Sequence, residues 1–156
     1  MTIVAHAHPF VVGVDTHARN HAMASLAGAT GELLAAEQFP ATSTGMARAV
    51  AWVARRTGRD LATLWVIEGA ASYCARLGRV VADTGYQVIE AARMHARANR
   101  GVGKSDPLDA HRIAAAVLPL EVTELRRPRR DKGVRAALRV LVAALPAPRP
   151  SAWPDE

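Results

Sequence analysis

Phe10-Val11-Val12-Gly13-Val14-Asp15-Thr16 is a nearly unbroken apolar run that closes on a carboxylate. Its β-branched valines and its lack of polar alternation mark a strand buried on both faces. Such a strand belongs inside a sheet, so the rest of the chain must supply neighbours and cover. Ala22 to Leu26 reads as a second strand, Gly28-Ala29-Thr30-Gly31 as a turn cluster, and Leu33 to Phe39 as a third strand closed by Pro40. Three strands in succession with tight connections predict an antiparallel meander.

Beyond Pro40 the period changes. Met46, Val50 and Val53 recur at helical spacing behind an N-cap at Ser43 or Thr44, and Gly58 follows the basic end Arg55-Arg56. Leu64 to Ile67 is a fourth strand. Tyr73, Leu77, Val80, Val81 and Thr84 line one face of the next helix, which Gly85 stops, and Gln87 to Ala91 is a fifth strand. Asp106 to Leu118 reads as a further helix, with Ser105 as N-cap, Pro107 tolerated in the first turn and Pro119 as terminator. The order β-β-β-α-β-α-β-α predicts an α/β fold. Three antiparallel strands lead into β-α-β to give a mixed sheet with flanking helices.

The segment Arg126 to Arg139 carries seven Lys or Arg residues, and Val134, Leu138, Leu141 and Leu145 form an apolar stripe at helical spacing. That pattern is a C-terminal basic amphipathic helix whose partner could be a second copy of the chain, giving a homo-oligomer through 134–145. The expected organisation is a disordered lead at 1–9, a sheet domain at 10–120, a basic linker and helix at 121–145, and a proline-rich tail at 146–156. His6 and His8 fall in the lead and are expected to be solvated.

Lys and Arg exceed Asp and Glu by six in 156 residues, which suits a polyanionic partner. Cys74 is the single cysteine, so no internal disulfide can form, and its apolar surroundings mark it as packed rather than nucleophilic. No apolar run approaches the ~20 residues that span a bilayer, and no signal-peptide pattern opens the chain. A cytoplasmic location with no membrane contact is the expectation.

Four acids stand where core-building would not put them. Asp15 ends the first strand, Glu68 ends the fourth, and Asp106 and Asp109 lie three apart at the start of a helix. Asp followed by Thr can simply start a turn, and acids in a first helical turn gain ~0.3–1 kcal/mol each from the macrodipole. A carboxylate at the end of a buried strand must nevertheless be paired or coordinated, because stranding it there costs several kcal/mol. Residues three apart share a helix face, and like charges there repel unless a cation separates them. Hard oxygen donors from three separate elements are what one or two Mg²⁺ ions require. Arg93, Arg97, Arg100 and Lys104 recur at near-helical spacing just before the pair. They are positioned either to neutralise backbone phosphates or to form an ordinary solvated face.

Gly13-Val14-Asp15-Thr16-His17, Val66-Ile67-Glu68-Gly69-Ala70-Ala71-Ser72-Tyr73 and Gly103-Lys104-Ser105-Asp106-Pro107-Leu108-Asp109-Ala110 occur in that order. Together they resemble the N-terminal domain of the DEDD-type insertion-sequence transposases, the bridge-RNA-guided recombinases. The resemblance runs from about Val11 to about Leu118, with a further similar segment at Asp131 to Leu141. It implies a fold like the Holliday-junction resolvase RuvC, within the ribonuclease-H-like class. It also implies that Asp15, Glu68, Asp106 and Asp109 hold Mg²⁺ (or Mn²⁺) beside a DNA strand, that a structured guide RNA is a partner, and that a separate C-terminal domain supplies a serine nucleophile. No serine of this chain fits that last role, so the expectation is a truncated copy or isolated domain that does not transpose alone. A non-catalytic nucleic-acid-binding remnant and a stand-alone metal-dependent nuclease are the competing expectations.

Overall fold

The computed structural model describes residues 1–70, 74–91 and 106–128. The elements run α1 (Val4–Ala7), β1 (Phe10–Thr16), β2 (Asn20–Ala27), β3 (Leu33–Pro40), α2 (Ser43–Arg56), β4 (Leu64–Ile67), α3 (Ala75–Asp83), β5 (Gln87–Glu90) and α4 (Asp106–Val117), followed by a 3₁₀ turn at Val122–Glu124. The sheet order is β3-β2-β1-β4-β5. β1 pairs antiparallel with β2 and parallel with β4, which in turn pairs parallel with β5. This mixed order gives β1 a neighbour on each side, as its apolar run requires. β1 is the middle strand, and all its residues from Val11 to Thr16 are buried.

Alternation along the strands divides the core into two layers. Val12, Val14, Met23, Trp65 and Ile67 face one way, onto Met46, Ala49, Val50 and Val53 of α2 and Leu77 and Val81 of α3. Val11, Ala22, Ala24, Leu64 and Val66 face the other way, onto Ala110, Ile113, Ala114 and Val117 of α4. Each fully buried Val or Leu of these layers contributes about 1.5–3 kcal/mol relative to exposure.

Three sequence expectations need correction. The lead at 1–9 is not disordered. Val4 is fully buried in the α4 layer, its N–H donates to the Leu120 carbonyl at 2.9 Å, and Ile3 pairs with Glu121. His8 is likewise buried, and its Nδ1–H donates to the Ala62 carbonyl at 2.7 Å. A single buried valine in a four-residue helix has too little periodicity to be read from sequence. Second, packing on the domain continues past the expected bound at 120, since Leu125 lies against the same layer and the Glu90 N–H donates to the Arg126 carbonyl at 2.9 Å. Third, the cap of α2 is Thr42, one residue before the expected pair, and its Oγ1 accepts from the Gly45 N–H at 3.0 Å. The Arg93, Arg97, Arg100 and Lys104 set, the Ser105 cap, Tyr73, the 134–145 stripe and the 146–156 tail lie outside the described residues.

β2 also buries a histidine. His21 is 3 % exposed, with its Nε2 3.9 Å from the Cys74 sulfur. Burial, with a smaller push from His17, lowers the affinity of His21 for a proton below the usual 6.5. A base held down in the folded state destabilises the fold once it must charge. Its contribution to stability is therefore complete above pH 6.5 and declines as pH falls from there through the lower folded value. NMR titration of the ring should place its midpoint below 6.5, and a midpoint at or above 6.5 would refute the burial argument. Burial also pushes the Cys74 thiol up, against a smaller opposing effect of the neighbouring Thr16 hydroxyl, in keeping with a packed and unreactive cysteine.

Candidate active site

The parallel strands β1 and β4 end side by side, and two hydrogen bonds hold their ends together. The Glu68 N–H donates to the Val14 carbonyl at 3.2 Å, and Thr16 Oγ1 donates to the Glu68 carbonyl at 3.0 Å. Gly69 follows at φ 69°, a left-handed conformation that glycine adopts without strain and that turns the chain sharply away from the sheet. Alternation puts Asp15 in phase with Val11 and Gly13, and Glu68 in phase with Leu64 and Val66. Both acids therefore belong to the face that α4 covers.

Gly13 decides how closely α4 can approach. A Cβ at this position would lie 2.1 Å from the Ala110 carbonyl oxygen, 2.7 Å from the Ala114 nitrogen and 2.9 Å from the Ala114 Cβ. The helix backbone rests directly on β1 from Ala110, the residue after Asp109, and so carries Asp109 to the strand ends. The three carboxylates feel one another. Partial burial raises the Glu68 carboxyl above its usual range. The hydrogen bond it shares with Asp15 and the charges of Asp15 and Asp109 push it the same way, against a weaker pull from His17.

Two basic side chains sit at the rim of this group. His17 Nε2 lies 2.9 Å from Asp15 Oδ2, and Arg112 Nη1 lies 3.3 Å from Asp109 Oδ1. Neither residue was assigned a role from sequence, although His17 stands two after Asp15 and Arg112 three after Asp109, the spacings that bring side chains together on a strand and a helix. Asp106 opens α4, but its side chain is outside the described residues. Among the described residues no three His, Cys, Asp or Glu side chains are drawn to the spacing of ligands around one ion. The group is thus a like-charge cluster from β1, β4 and α4 rather than a closed coordination shell. By donor type it fits a hard divalent cation: all carboxylate oxygens, with one carboxyl already displaced in its titration by its neighbours.

The sheet order, with acids gathered where β1 and β4 end under α4, defines a ribonuclease-H-like α/β domain. The chain belongs to the DEDD_Tnp_IS110 transposase family, whose family model matches residues 12–145. No curated protein sequence matches it. Among solved structures it is similar to T. thermophilus RuvC, determined in complex with a Holliday junction substrate. The identity is 16 %, with 69 % of this chain and 91 % of that one covered, at a TM-score of 0.47. It is also similar, at 9 % identity and a TM-score of 0.32, to a chain of the simian T-cell lymphotropic virus intasome in complex with a PP2A regulatory subunit, B56 gamma. That match covers 100 % of this chain and 62 % of the other. No helix among the described residues is long and apolar enough to cross a membrane.

Proposed function

We propose that this chain is the catalytic-acid domain of a DNA transposase or recombinase, in which Asp15, Glu68, Asp106 and Asp109 hold Mg²⁺ (or Mn²⁺) at the phosphodiester to be cut. The observation that carries this reading is geometric: the Glu68 N–H donates to the Val14 carbonyl beside Asp15, and α4 rests on Gly13 and so brings Asp109 to the same strand ends. When bound, the cation supplies Lewis-acid polarisation of the scissile phosphate and stabilises the charge that develops on its oxygens.

The remaining work belongs to residues of the chain. The Thr16–Glu68 and Glu68–Val14 bonds fix the two strand ends as one platform, so that Asp15 and Glu68 cannot drift apart. His17 engages Asp15 Oδ2 at 2.9 Å and steadies this carboxylate at the end of β1. Arg112 holds the Asp109 carboxylate from the next turn of α4. A guide RNA that selects the DNA, a serine nucleophile from a further domain, the basic residues Arg93, Arg97, Arg100 and Lys104 as phosphate contacts, and association through 134–145 complete the proposal.

Fluorescence anisotropy with a DNA duplex tests the core of the reading. Mg²⁺ should tighten binding by wild type and have no such effect on a variant carrying Asn or Gln at all four acids. Equal binding by the two proteins with and without Mg²⁺ would leave a nucleic-acid-binding role with no metal chemistry. Nicking of plasmid DNA by the chain alone would move the reading to a stand-alone nuclease.

A further inference from the structure

The face of the sheet opposite α4 carries a second charge pattern. α2 contains no acid and presents Arg48 and Arg55, seven residues apart, to one shallow cleft of about 390 Å³, whose walls include Glu37, Gln38 and Trp52. Residues seven apart lie on one stripe, about 10.5 Å apart along the axis. Arg76, at the start of α3, reaches across to donate to the Ser43 hydroxyl at the start of α2. All three arginines are exposed, and among the described residues none of them is in an ion pair. The ion pairs given above, His17–Asp15 and Arg112–Asp109, both belong to the acid site. Glu37 is the single carboxylate of the cleft, and its Oε1 accepts from the Gln38 N–H at 3.1 Å rather than closing on an arginine.

The stripe also has a direction. Pro40 pairs with Asn20, and Thr16 pairs with His21, so α2 starts at the end of the sheet where β1 delivers Asp15. α3 starts shortly after Glu68 at the same end. Ser43 and Arg76 thus mark the acid end, and Arg48 and Arg55 lead away from it. From Ser43 to Arg55 the helix rises about 18 Å, the axial length of roughly five base pairs. Unpaired cations in a row repel one another, and a polyanion laid along them removes that repulsion.

We propose that Arg76, Arg48 and Arg55 form a track for the phosphate backbone of the DNA duplex flanking the cut site, running from the acid end of the sheet along the outer face of α2. The assignment rests on the DNA reading above, since DNA is the polymer whose phosphodiester that reading places at the acids. The Trp52 ring supports the track from beneath, where it also carries the Arg56 guanidinium 4.4 Å from its centroid.

The test is anisotropy of the full chain on a 25-base-pair duplex over a KCl series in EDTA, so that the acid site is silent. Each phosphate contact contributes about 0.9 to the slope of log K against log salt. R48Q/R55Q/R76Q should lower affinity by at least ~tenfold and reduce the slope by roughly two to three, with an unchanged melting temperature showing that it folds. R48K/R55K/R76K should keep the wild-type slope. An unchanged slope in the Gln variant overturns the track, as does equal loss in the Lys variant. A Gln variant that loses an RNA hairpin but holds duplex DNA as wild type does also overturns it, by giving the surface to RNA. Wild type without salt-sensitive DNA binding would bring down the DNA reading itself, an outcome distinct from failure of the track alone.

Discussion

Gly13→Ala is expected to cost roughly 3 kcal/mol, the upper end for overpacking a filled core. The added methyl would meet the Ala110 carbonyl at 2.1 Å and the Ala114 nitrogen at 2.7 Å. These are backbone atoms of a hydrogen-bonded helix, so they cannot swing aside as a side-chain tip can. Relief requires α4 to lift from β1, which opens the layer formed by Ala110, Ile113, Ala114 and Val117. The same displacement carries Asp109 away from Asp15 and Glu68. The variant should therefore show a lowered urea midpoint together with weakened Mn²⁺ binding. A loss below about 0.5 kcal/mol would mean that the helix does not rest on this glycine as described.

Asp15→Asn is expected to lower strand cleavage by the assembled transposase about a thousandfold or more. Metal-assisted stabilisation of the transition state amounts to several kcal/mol, and each 1.36 kcal/mol is a factor of ten. Asn keeps the size and one acceptor oxygen of Asp15, so the His17 contact can survive while the charge is lost. A second readout separates this effect from misfolding. With the Asp15 charge removed, the Glu68 carboxyl should titrate closer to its usual range, because two of the influences that raise it come from Asp15. Carboxyl NMR on the metal-free protein measures the shift. Cleavage within tenfold of wild type, or an unmoved Glu68, would remove Asp15 from the cluster.

Much of this was legible in the sequence because the relevant signals are local. The β1 run states by composition that it is central, and a strand buried on both faces fixes a covered sheet. The Asp15 and Glu68 positions follow from where apolar runs stop. What the sequence hid depends on contacts between distant segments. The burial of Val4 needs the Leu120–Glu121 turn, which shows no pattern of its own. Gly13 reads as a weak point in a strand until α4 is seen resting on it. Arg112 reads as one more solvated arginine until its distance to Asp109 is known. The cation stripe on α2 was likewise invisible, since Arg48 and Arg55 acquire meaning only from the strand end at which their helix begins.

The central claim is that carboxylates from β1, β4 and α4 form one cation site, and calorimetric titration of Mn²⁺ into metal-free protein tests it most directly. Asp15→Asn, Glu68→Gln, Asp106→Asn and Asp109→Asn should be compared singly with wild type, and R48Q/R55Q/R76Q included as a variant outside the site. The account requires saturable binding by wild type and the arginine variant, and at least a tenfold loss of affinity for each single amide. Absence of binding by wild type, or an amide variant among the four that binds Mn²⁺ as tightly as wild type, would contradict it.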